Sequence, residues 1–98
     1  MARLAWDEHA LEDLARLSDF LAENDPASAV ETVDLVEQAV SMLRAHPLVG
    51  RRVTARLREL VISRGRTGYS ALYEYREEFD RVIVRAIRHR RETGFEED

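Results

Sequence analysis

The chain has 98 residues, a formal net charge of −4 and no cysteine. That length supports one domain, residues 1–98, with a two-layer core burying roughly 60–65% of the unfolded surface, while the missing cysteine excludes disulfides and thiolate metal sites and suits a reducing compartment. No apolar run nears the ~18 residues of a membrane span and no charged-then-apolar leader opens the chain, so a soluble cytoplasmic protein without membrane contact is expected.

The first predicted element is a short strand from Ala2 to Trp6, with Ala2, Leu4 and Trp6 on one side. Asp7 then suits a helix N-cap, and Glu8 in the first turn complements the helix dipole. Ala10, Leu14, Leu17 and Leu21 recur at helical spacing, with Leu11 beside them, which predicts an amphipathic helix to about Glu23. Asn24-Asp25-Pro26 stops that helix and starts another, with Asp25 at the N-cap and Pro26 at the first helical position. Val30, Val33, Val36, Val40 and Leu43 form the second stripe, which ends near His46 before Pro47. So short a break predicts a helical hairpin whose apolar stripes face a sheet.

Residues 57–91 predict that sheet. LRELVIS, YSALYEY and FDRVIVRAIRHRRE alternate like strands, and the breaks RGRTG and REE read as hairpin connections. The expected fold class is α+β in the order β-α-α-β-β-β, with the hairpin packed on one face of a small, mainly antiparallel sheet. Strict alternation puts Val82, Val84 and Ala86 on one face of the last strand and Arg81, Ile83, Arg85, Ile87 and His89 on the other. Val61 on the first strand of the meander points the same way as this mixed face. A purely solvated side has no need of Val61, Ile83 and Ile87, so this face is expected to be covered by a partner.

Charge is strongly divided along the chain. Residues 1–50 carry three arginines against ten acids (−7), residues 51–91 twelve arginines against five acids (+7), and the tail 92–98 four acids (−4). The basic half fits an acidic partner, and the acidic tail at 92–98 reads as flexible. Every basic residue is arginine; the chain has no lysine.

Little in the chain points to chemistry. His9 and His46 fall at helix ends, no histidine pair has metal-ligand spacing, and Gly65-Arg66-Thr67-Gly68 lacks the lysine and the strand-to-helix setting of a phosphate loop. Tyr69, Tyr73 and Tyr75 share a strand face and read as core rather than as stacking platforms. Glu59 with His89 is a weak base-and-acid candidate, and Arg91 a weak charge stabiliser. No cofactor is expected.

Four stretches stand out together: Pro47 with Gly50-Arg51 after the second helix, Arg58-Glu59-Leu60-Val61, Gly68-Tyr69 leading into Leu72-Tyr73, and Ala86-Ile87-Arg88-His89 with Arg91. In this order they resemble the RelE/ParE family of bacterial type II toxin–antitoxin (plasmid stabilisation) toxins. The resemblance implies a growth-inhibiting toxin neutralised by a cognate antitoxin, which would cover Val61, Arg81, Ile83, Arg85, Ile87 and His89. It leaves a homodimer or a hetero-oligomer with the antitoxin open. RelE-like members cleave mRNA on the ribosome; ParE-like members poison DNA gyrase. Residue by residue the nuclease matches poorly: Ser70 follows the Gly-Tyr pair where those enzymes place arginine, their lysines have no counterpart, and Phe95 stands near the place of their C-terminal tyrosine. Arginine stabilises charge but is a poor general base. The expectation is therefore a ParE-like, non-enzymatic gyrase poison with Arg88, Arg90 and Arg91 toward the target, and an endoribonuclease or an inactive antitoxin-binding relative as alternatives.

Overall fold

The computed structural model describes residues 1–63 and 68–89. Residues 64–67 of the expected RGRTG connection, Arg90, Arg91 and the acidic tail lie outside these residues. The elements run β1 (Arg3–Trp6), α1 (Glu8–Ala22), α2 (Pro26–Ser41), β2 (Arg51–Arg52), β3 (Leu57–Val61), β4 (Tyr69–Arg76) and β5 (Arg81–His89). The order is the expected one, with β2 added as a two-residue edge strand. One mixed sheet is formed in the order β1-β5-β4-β3-β2, parallel only between β1 and β5.

Both helix starts follow from their caps. The Ala10 N–H donates to Asp7 Oδ1 at 2.9 Å, and the Ser28 N–H to Asp25 Oδ1 at 3.2 Å, with Pro26 opening α2. The two helices cover one face of the sheet. Ala10, Val36, Val40 and Leu43 meet Leu60, Ala71, Tyr73, Val82 and Val84 there, with Leu4, Trp6, Leu14 and Leu17 packed around them. Val30, at the start of the second stripe, is exposed instead, while Ala29 beside it is buried.

Tyr73 ties the sheet to the connection after α2. Its ring is fully buried, its hydroxyl accepts the Gly50 N–H and donates to Pro47 O, both at 2.8 Å, and burial pushes its pKa up. Gly50 is required by space: a Cβ there would stand 2.7 Å from the Tyr73 ring and 2.8 Å from Glu59 O. Arg58 fastens the same loop, donating to Gly50 O at 2.8 Å and Leu48 O at 3.2 Å. At the β4–β5 turn Asp80 takes a left-handed conformation (φ 49°), and the Tyr75 hydroxyl donates to its carboxylate at 2.8 Å.

The last strand corrects the expected alternation. Leu72 pairs with Ala86 but Tyr73 pairs with Val84, so Arg85 is an extra residue, a β-bulge. One added residue reverses every later side chain. Ala86 and Arg88 therefore point to the open face, and Ile87 and His89 to the helical one. Ile87 is 2% exposed and part of the core. The bulge falls where β1 ends, just past the Trp6–Val84 pair, and α1 takes over there: Asp13 Oδ2 accepts the Ile87 N–H at 3.0 Å.

Candidate interaction face

The face of the sheet opposite the helices is built in rows by the strand register. Arg76, Arg81 and Arg3 stand side by side at one end. Leu57, Glu74, Ile83 and Ala5 follow, then Arg51, Glu59, Leu72 and Ala86, and finally Val61, Ser70 and Arg88. Aliphatic side chains thus run diagonally across a field of arginines. Like charges directly opposite each other on a sheet are destabilising, and the Arg76–Arg81–Arg3 row repeats that arrangement twice.

Part of this charge is neutralised internally. Arg85, displaced by the bulge, reaches Glu74 Oε1 at 2.8 Å with Nη2 and Asp7 Oδ2 at 3.1 Å with Nη1. Arg76 Nε reaches the other Glu74 oxygen at 2.6 Å. The Arg85 hydrogen bond, with help from Arg76, holds the buried Glu74 carboxyl below its ordinary pKa against the opposing effect of burial. Burial pushes the Asp7 carboxyl upward, but the Ala10 N–H and Arg85 outweigh it and lower its pKa. Arg85 in turn is raised, first by Glu74 and then by Asp7. This four-residue network fastens the start of α1 to β4 and β5. The sequence offered Arg85 as a binding residue; the structure gives it two carboxylate partners already.

The other expected site residues divide between the two faces. Val61 and Ile83 are half-buried and Arg81 exposed, all on the open face, and Arg88 joins them there. Ile87 is withdrawn into the core, and His89 lies on the helical side with its ring edge-on to Tyr69, centroids 5.2 Å apart. Glu59 is on the open face, buried and bonded to Arg51 Nη2 at 2.8 Å. Glu59 and His89 therefore stand on opposite faces of the sheet. Ser70 Oγ is buried without a hydrogen-bond partner among the described residues. No group of three His, Asp or Glu side chains placed to hold a metal occurs among the described residues, and no described helix is long and apolar enough to cross a membrane.

Comparison with known proteins places this arrangement. Residues 4–94 match the profile described as ParE toxin of type II toxin-antitoxin system, parDE. Toxin RelE3 of Caulobacter vibrioides is 35% identical over 80 residues, covering 82% of this chain and 85% of that protein. Toxin RelE2 of the same organism is 36% identical over 62 residues, 63% of this chain and 70% of its own length. Among solved structures, the chromosomal ParDE toxin–antitoxin system from P. aeruginosa superposes with a TM-score of 0.76 at 22% identity, covering 91% of this chain and 96% of that one. The intact E. coli RelBE toxin–antitoxin complex superposes at 0.59 with 17% identity, covering 89% and 94%. At these identities the two structures speak for the fold.

Proposed function

The chain belongs to the ParE toxin family of type II toxin–antitoxin systems, and we propose that it arrests growth by binding DNA gyrase in the cytoplasm. An antitoxin neutralises it by lying across the open face of the sheet. The observation that supports a non-enzymatic toxin is the separation of Glu59 from His89 by the sheet itself. General acid–base catalysis requires both groups within hydrogen-bond reach of one substrate, and the remaining cations of the open face are arginines, which stay protonated.

The antitoxin contact rests on Val61, Arg81 and Ile83, with Arg88 and Arg3 beside them. Aliphatic burial supplies affinity at about 25 cal/mol per Å². Acidic side chains of the partner relieve the repulsion in the arginine row, which favours association and its rate. Arg85 contributes indirectly, by holding Asp7 and Glu74 in place.

The relatives named RelE give the endoribonuclease reading its support, and growth assays separate the two. Induced expression of a Glu59→Gln, His89→Gln double variant arrests growth as the parent does if the toxin only binds. Loss of arrest in a folded double variant favours the nuclease.

A further inference from the structure

The open face leaves a second surface unexplained, at the opposite edge of the sheet beside β2. Between Gln38 and Arg58 the sequence holds five arginines and no acid. In the same stretch Leu48, Val49 and Val53 are 60%, 54% and 42% exposed. Exposed aliphatic side chains are common singly; here they cluster on backbone that is held unusually firmly. Tyr73 and Arg58 together make four hydrogen bonds to the backbone of residues 47–50. The β2–β3 turn is closed as well, by Thr54 Oγ1, which accepts the N–H groups of Arg56 and Leu57, and by Arg52, which donates to Ala55 O.

Between loop and turn lies a cleft of about 120 Å³, with Leu48, Ala55, Leu57 and Tyr75 in its lining and Arg52 and Arg56 among its basic residues. Glu77 stands in the same lining. A firmly held cleft of mixed aliphatic and arginine lining is preorganised for binding, because little loop ordering remains to be done. Among the described residues β2 pairs only with β3 and forms one edge of the sheet.

We propose that this cleft docks an acidic segment of a partner protein. An aliphatic side chain of the segment enters between Leu48 and Leu57, and its carboxylates meet Arg52 and Arg56. Protein is favoured over nucleic acid because single strands are held by exposed aromatic stacking platforms, whereas the exposed apolar residues here are aliphatic and the aromatic residue of the cleft, Tyr75, is half-buried with its hydroxyl donating to Asp80. The site lies toward the β2–β3 edge of the sheet, with Tyr75 of β4 at its margin, and does not depend on the identity of the growth target or on the antitoxin contact.

The test uses the full chain, isotopically labelled for amide NMR, and a short peptide alternating glutamate with leucine. Titration shifts the amides of Leu48, Val49, Arg52, Val53 and Arg56 first, and the same peptide with lysine in place of glutamate does not bind. Leu48→Ser and the Arg52→Glu, Arg56→Glu pair each weaken the acidic peptide at least about tenfold, as loss of a central anchor does. All three positions are exposed, and a dispersed spectrum verifies that each variant is folded. Shifts confined to the open face of the sheet overturn the proposal. So does tighter binding of oligo-uridine than of the peptide at the same residues, or concentration-dependent shifts without peptide that map this cleft onto the acidic helices of a second copy.

Discussion

Asp13 Oδ2, on α1, accepts the backbone N–H of Ile87, on β5, at 3.0 Å. The bond completes the sheet at the point where β1 stops, and it lets the strand continue past the bulge at Arg85. The carboxylate is 4% exposed and also has His9 and Arg16 beside it. A side chain on the apolar side of a helix thus takes the place of a missing strand.

Asp13→Ala leaves the buried Ile87 N–H without an acceptor, which costs roughly 1–3 kcal/mol. For a domain of this size that lowers Tm by about 4–8 °C per kcal/mol. Asp13→Asn keeps an acceptor oxygen and loses less. Thermal unfolding of the three proteins checks the order; equal midpoints would remove Asp13 from the account.

Asp7 and Glu74 predict an acid-sensitive fold. Both carboxyls have depressed pKa values in the folded chain. Their contribution is therefore fully present above the unfolded values, which lie near 3.8 and 4.5. It is lost as pH falls through the lower folded values. Denaturant unfolding below about pH 4.5 becomes less pH-dependent in Glu74→Gln, while the neutral-pH stability of that variant is already reduced. An unchanged acid slope contradicts the Arg85 network.

Tyr73→Phe removes a buried hydroxyl that serves Gly50 and Pro47 together. The expected loss is about 1–3 kcal/mol for the stranded N–H, with faster amide exchange at Gly50. Gly50→Ala is at least as harmful, since its methyl would meet the Tyr73 ring and the Glu59 carbonyl. Wild-type exchange at Gly50 in Tyr73→Phe would show that the loop is held without it.

Much of the architecture was legible because its signals are local. Asp7, Asp25 and Pro26 mark the helix starts, and stripes at spacings of three and four mark the buried sides. The bulge was not, because VIVRAIRH alternates without a break and nothing in it announces an extra residue. That single insertion puts Ile87 and His89 on the helical face and Ala86 on the open one, each opposite to what strict alternation gives. The two-residue β2 is too short to alternate, and the engagement of Arg85 by Asp7 and Glu74 joins positions far apart in the chain. Val61, Ile83 and Arg81 were placed on the open face because no irregularity precedes them in their strands.

Ile83 and Ile87 now separate binding from folding. Ile83→Asp weakens the antitoxin complex by one to two orders of magnitude, about 1.5–3 kcal/mol of lost aliphatic burial, and leaves the fold intact. Ile87→Asp buries a charge in the core and unfolds the chain instead. Calorimetric titration with the antitoxin, paired with circular dichroism, reads both. Full affinity in folded Ile83→Asp would move the antitoxin elsewhere.

A toxin that binds gyrase without cutting message is told from a nuclease by one pair of reactions. Purified toxin is added to DNA gyrase with relaxed plasmid, and to translating ribosomes with a defined message read by primer extension. Supercoiling is expected to fall with added toxin and to recover with stoichiometric antitoxin, while the message stays intact. Codon-specific cleavage with unimpaired supercoiling, abolished in Glu59→Ala or His89→Ala, would make the toxin a nuclease.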